Sequence, residues 1–212
     1  MKKILALILS AIMIGVSGIP ALAEKEEIVQ DTVAGTSPSM DIDVKSAILL
    51  EKSTGTVLFE VNADEQLPPA SITKIMTLLL VMEDVKAGKY SFDTQVEATA
   101  DAYRSEPSWV GIKVGEKMSV RDLCAALMVE SANDAAIVLG VHSAGSFDAF
   151  IARMNARAAE LGMKNTKYYN PNGLPPNAGK RYPWKSFNVS TARDQMVLAR
   201  ALVRNSEVLR FT

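Results

Sequence analysis

A single histidine, His142, and a single cysteine, Cys124, are all that these 212 residues offer to imidazole, thiol and soft-metal chemistry. A nucleophile activated by imidazole would have to use that one ring. His142 lies in Val138-Leu139-Gly140-Val141-His142-Ser143, which reads as the end of a buried helix, so a hydrogen-bonded structural histidine is expected. Cys124, inside Leu123-Cys124-Ala125-Ala126-Leu127, reads as a small core residue. One His and one Cys fit no familiar metal spacing, and no cofactor is implied. A lone cysteine also excludes an internal disulfide, leaving stability to packing. Excess charge of one sign is absent too. With 23 basic and 24 acidic residues, nothing points to nucleic acid as a partner. No repeat at solenoid periods is visible.

What the chain does have begins at its N-terminus. Lys2 and Lys3 precede an apolar run from Ile4 to about Pro20, then Ala21-Leu22-Ala23 and Glu24. A charged start, a short apolar stretch and an Ala-x-Ala site describe a secretory signal peptide over residues 1–23, cut after Ala23, and hence an exported protein. The run is short for a retained membrane span. Residues 24–43 are polar, with Gly35-Thr36-Ser37-Pro38-Ser39, and read as a flexible leader. Residues 44–212 form the folded unit.

Within that unit, Ser46-Ala47-Ile48-Leu49-Leu50-Glu51 and Thr56-Val57-Leu58-Phe59-Glu60-Val61 flank Lys52-Ser53-Thr54-Gly55, a β-hairpin pattern. Pro68-Pro69-Ala70 stops extended structure, and Ser71 is expected to begin a helix through about Lys86, ending at Gly88. Its apolar residues cover nearly every face, so it must be buried on most sides. Ser119 with Asp122, Ser146, and Thr191 with Asp194 read as caps of three further helices. Asn170-Pro171-Asn172-Gly173-Leu174-Pro175-Pro176 is a long loop of turn residues, the kind that often borders an active site.

Two short patterns carry chemistry. Ser71-Ile72-Thr73-Lys74 places a hydroxyl and an amine three residues apart, on one face of a helix, so that Lys74 can act as base to Ser71. A chain this rich in Ser and Lys is expected to hold on the order of one Ser-x-x-Lys by chance, so context must carry the reading. Ser131-Ala132-Asn133 sets a hydroxyl and a carboxamide where the chain turns between helices. There Ser131 could relay a proton and Asn133 could hold a substrate amide, or both could simply cap a helix. Ser186-Phe187-Asn188 has the same pattern, so it is unspecific alone.

Taken in order, Pro69-Ala70-Ser71-Ile72-Thr73-Lys74-Ile75-Met76-Thr77, Lys113-Val114-Gly115-Glu116 with Val120-Arg121-Asp122-Leu123, Ser131-Ala132-Asn133-Asp134-Ala135-Ala136, Asn170-Pro171-Asn172-Gly173-Leu174-Pro175 and Ser190-Thr191-Ala192-Arg193-Asp194 form a more specific set. From about Val44 onward the chain resembles the low-molecular-weight penicillin-binding proteins, the serine D-alanyl-D-alanine carboxypeptidases. The resemblance implies an α+β penicillin-binding transpeptidase fold, an antiparallel sheet with an all-helical cluster and the site between them. It also implies removal of terminal D-alanine from peptidoglycan stem peptides through an acyl-enzyme, with β-lactams as covalent inhibitors. Carried over, Ser71 is the nucleophile, Lys74 its base, and Ser131 and Asn133 the proton relay and substrate-orienting pair. Ile72, Ile75 and Met76 around Lys74 suggest a desolvated amine of lowered pKa.

The family's Lys-Thr-Gly strand is not found in this sequence, and Lys113-Val114-Gly115 belongs to an earlier element. The expectation is therefore an incomplete catalytic domain, truncated before the last strands, with membrane association left to a C-terminal segment not present here. Serine β-lactamase is the nearest alternative. Glu160-Leu161-Gly162-Met163-Lys164 does not match the Glu-x-x-Leu-Asn loop of the class A enzymes, however. A truncated, non-catalytic remnant is the other alternative.

Overall fold

The computed structural model describes residues 42–102, 108–176, 186–204 and 208. The signal-peptide expectation, and the leader up to residue 41, lie outside them.

Strands β1 (Ala47–Leu50) and β2 (Val57–Val61) pair antiparallel as the two short apolar runs around the turn at 52–55 predict. Leu49 faces Phe59 and Leu50 faces Val57, so Leu58 is the extra residue of a bulge. After Pro68-Pro69, a 3-10 turn over Ala70–Thr73 runs straight into helix α1, Lys74–Lys86. Ser71 therefore sits in the turn ahead of the α-helix rather than in its first turn, a correction to the expected start. Sequence cannot separate the two, because residues three apart share a face in both geometries.

Helix α1 is the axis of the molecule. Met76, Leu78, Leu79, Leu80, Val81 and Met82 are all buried, as its all-round apolar pattern requires. Around it pack α2 (Val120–Val129), α3 (Asn133–Ala144), α4 (Phe147–Glu160) and α5 (Ala192–Val203). The caps fall where Ser119, Ser146 and Thr191 predict them, each side chain accepting the backbone N–H three residues on. Gly140 lets α3 and α4 approach, since a Cβ there would meet the Phe150 ring at 2.6 Å.

A second small sheet pairs β3 (Gln95–Glu97) with β4 (Lys117–Ser119). It buries Val96 against the helical body and leads directly into α2. Cys124 is fully buried, and burial pushes its thiol up to about 12, in keeping with an inert core residue. His142 departs from expectation. Its ring lies 4.7 Å from that of Tyr90, but its Nε2 is buried without a hydrogen-bond partner. Burial lowers its pKa against an opposing pull from Asp84.

The segment ahead of α5 is anchored on both sides. Leu67 pairs with Ser190, and Lys167 with Val189, through reciprocal backbone hydrogen bonds of 2.8 to 3.0 Å. Residues 186–191 are thereby set against the loop that follows α4. Among the described residues, no single helix is long and apolar enough to cross a membrane.

Candidate active site

Ser71 is exposed while Lys74, three residues on, is only 3% exposed. The near-eclipsed geometry of a 3-10 turn brings the two side chains together, with Lys74 Nζ 3.0 Å from Ser71 Oγ. Ser131 arrives from the turn between α2 and α3, and its Oγ lies 3.2 Å from the same nitrogen. The third contact is a backbone group, the carbonyl of Asn172 at 3.1 Å. Structure thus joins Ser71, Lys74 and Ser131 around one amine. Asn133, two residues past Ser131, opens α3 and is 2% exposed, and its backbone N–H donates to Ser108 O at 2.8 Å. The N-cap of α3 is Ala132, which makes no side-chain cap, so Ser131 and Asn133 are not the ordinary caps of that helix.

The identities of the three partners constrain the proton. A carbonyl can only accept, so one N–H of Lys74 is committed to Asn172. A neutral amine has two N–H bonds and one lone pair. With the second N–H on Ser131 Oγ, the lone pair faces the Ser71 hydroxyl. Among the described residues no carboxylate bonds to Lys74, so neutral oxygens alone offset the cost of burying an ammonium there. Burial accordingly draws its pKa down from 10.5 to about 8. At pH 7 about a tenth of the amine is then neutral, against roughly one part in three thousand for an ordinary lysine.

Backbone strain collects at the same place. Of the four described non-glycine residues with positive φ, Ala70 precedes Ser71, Ser131 is itself a site residue, and Ser108 holds Asn133. Such conformations cost on the order of 1–3 kcal/mol each and persist only where the surroundings impose them. The α3 end is imposed by Asp134. Its fully buried carboxylate accepts from the backbone of Val110, Gly111, Ile112 and Ala135 at 2.9 to 3.3 Å.

The loop flagged as Asn170 to Pro176 forms the wall over Lys74. Thr77 Oγ1 donates to Pro171 O at 2.7 Å, and Asn170 Oδ1 accepts from Asn172 and Gly173. Gly173, at φ +84°, is required by close approach. A Cβ there would come within 1.8 Å of Ala70 O. Sequence reasoning placed this loop near the site but missed the Asn172 carbonyl, because a backbone group leaves no residue signature. It also missed Asp134 and Asn188, although both stand inside patterns it quoted.

A family model described as D-alanyl-D-alanine carboxypeptidase matches residues 31–212. D-alanyl-D-alanine carboxypeptidase DacF of Bacillus subtilis is 32% identical over 212 residues, covering all of this chain and half of the relative. Among solved structures, D-alanyl-D-alanine carboxypeptidase DacD from Francisella tularensis superposes with a TM-score of 0.73 at 35% identity, covering 80% of this chain and 39% of that one. Penicillin-binding protein D2 from Listeria monocytogenes, in its cefotaxime-bound form, gives a TM-score of 0.69 at 34% identity, covering 82% and 68%. The chain spans about half the length, or less, of the curated relatives it matches.

Proposed function

Since this chain belongs to the D-alanyl-D-alanine carboxypeptidase family and has its α+β penicillin-binding fold, we propose that Ser71 is the nucleophile of a serine peptidase that removes the terminal D-alanine from peptidoglycan stem peptides. The observation that carries this reading is the buried Lys74 amine, which touches two hydroxyls and a carbonyl and, among the described residues, no carboxylate.

The chemistry follows from those contacts. Neutral Lys74 takes the proton from Ser71 Oγ as that oxygen bonds to the carbonyl carbon of the penultimate D-alanine. The resulting ammonium passes a proton through Ser131 to the nitrogen of the terminal D-alanine. As the C–N bond breaks, D-alanine leaves as the free amino acid and the rest of the peptide remains as an ester on Ser71. Water attacks that ester and gives a proton to Lys74, which returns it to Ser71 Oγ as the ester C–O bond breaks; the freed acid ionises to solvent and departs as the carboxylate. Asn133 holds the amide of the peptide in register. A β-lactam follows the first half of the same path, its ring amide opening on Ser71, in line with the cefotaxime-bound Listeria relative. In this reading residues 1–23 direct export, and the enzyme works on the extracytoplasmic face of a bacterial envelope.

Intact-mass analysis and peptide mapping after treatment with benzylpenicillin test the proposal. One stable adduct on Ser71, lost in Ser71→Ala, is the expected result. Adduct formation elsewhere overturns the assignment, and rapid release of opened penicillin would instead mark a β-lactamase.

A further inference from the structure

The Ser186-Phe187-Asn188 pattern has no part in the chemistry above, yet Asn188 is among the most completely bonded side chains of the molecule. It is 2% exposed, and its carboxamide bonds in four directions. Oδ1 accepts from the backbone N–H of Tyr169 at 2.7 Å and of Asn170 at 3.1 Å. Nδ2 donates to Asn170 O at 3.0 Å and to Thr73 Oγ1 at 3.0 Å. A carboxamide offers two acceptor sites and two donors, so its capacity is filled.

Those partners lead directly to the amine. Thr73 is the residue before Lys74, and Asn170 organises the loop over it, taking Asn172 N and Gly173 N on Oδ1 and donating from Nδ2 to Leu174 O. The Asn172 carbonyl that accepts from Lys74 is therefore suspended between Asn170 on one side and Gly173 on the other. Asn188 itself is not free to follow the loop. The Leu67–Ser190 and Lys167–Val189 bridges fix the backbone on its C-terminal side. Three points become one rigid body: the turn carrying Ser71, the loop carrying Asn172 O, and the segment ahead of α5.

From this geometry we propose that Asn188, acting through Thr73 and Asn170, is the positioning residue that holds the Asn172 carbonyl on Lys74 and so aims the lysine lone pair at Ser71. The inference rests on the proposed serine mechanism and deepens it. Asn188 touches no reacting atom; it fixes the one partner of the amine that can only accept. Without that anchor the amine can rotate its lone pair away from Ser71, and the chemical step slows while the cleft that binds ligand keeps its shape.

Benzylpenicillin acylation of the intact protein, resolved into its binding constant and its first-order acylation rate, tests this. Thr73→Val removes the hydroxyl that receives Nδ2, Thr73→Ser restores it, and Asn188→Ala removes the carboxamide. In Thr73→Val and Asn188→Ala the acylation rate of the folded protein should drop on the order of tenfold or more, with the binding constant unchanged. Thr73→Ser should return the rate to that of the unsubstituted protein. Normal acylation rates in both Thr73→Val and Asn188→Ala overturn the positioning role and leave the serine mechanism standing. So does a loss in Thr73→Val that Thr73→Ser fails to restore. Should Asn188→Ala fail to fold, the Thr73 pair decides alone. An unsubstituted protein that benzylpenicillin does not acylate at Ser71 overturns the mechanism itself, and this proposal with it.

Discussion

Helix α1 buries a charge at each end, and the two are treated in opposite ways. Asp84, in the last turn, is 1% exposed and surrounded by partners. Arg153 grips both of its oxygens at 2.6 and 2.7 Å, Lys89 adds an ion pair at 2.6 Å, and Ser143 and Tyr90 donate hydroxyls. Burial alone would push its carboxyl up, but the hydrogen bonds from Arg153, Lys89 and Ser143 overcome that and hold it down to about 2. Lys74, in the first turn, is buried almost as deeply and, among the described residues, bonds to neutral oxygens alone. One charge is compensated, and it ties α1 to α3 and α4. The other is left uncompensated, and its protonation state becomes adjustable near neutral pH.

The two sites also carry opposite signs in stability. A carboxyl lowered from 3.8 to about 2 contributes on the order of 2 kcal/mol, present above pH 4 and lost as pH falls through 2. An amine lowered from 10.5 to about 8 costs on the order of 3 kcal/mol below pH 8, a cost that fades as pH rises through 10.5. Stability is being given up at Lys74. An unpaired buried charge that persists despite such a cost is what a catalytic base requires.

The sharpest break of the comparison removes each charge in turn. Lys74→Met should lower the rate of benzylpenicillin acylation on the order of a thousandfold or more, since the amine that bonds to Ser71 Oγ is gone. Its stability in urea should change by less than about 1 kcal/mol, because relief of the buried ammonium offsets the lost hydrogen bonds. Near-normal acylation would remove Lys74 from the mechanism. Asp84→Asn should do the reverse, costing about 3 kcal/mol because Arg153 and Lys89 lose their counter-charge, while the folded fraction acylates at the normal rate. The acid limb of the unfolding curve between pH 4 and 2 should flatten in the same variant. An unchanged limb, or a slowed acylation, would mean that the two ends of α1 are not separable.

Much of this contrast was legible in the chain, but unevenly. That Ser71 and Ser131 would meet at Lys74 could be read because side-chain chemistry at fixed spacing survives translation into sequence. The hairpin and the capped helices could be read because their periods and punctuation are local. The β3–β4 sheet could not, since strands of three residues lying some twenty apart show no period. Ser186-Phe187-Asn188 and Ser131-Ala132-Asn133 are identical as patterns and differ only in what the tertiary fold sets beside them. The Asp84 cluster draws on residues from three helices and the turn after α1. Its one sequence trace is the Glu83-Asp84 pair closing the apolar run of α1.

The central claim is that Lys74 is a buried, uncompensated amine able to lose its proton near neutral pH. A titration of its side chain by NMR, following the ¹³Cε resonance in ¹³C-lysine protein and assigned by its absence in Lys74→Met, measures this without reference to substrate. The account predicts a midpoint near 8, well below the exposed lysines, with benzylpenicillin acylation rising along the same curve. A midpoint near 10.5 would contradict it, because an amine that stays charged at neutral pH cannot take the proton of Ser71.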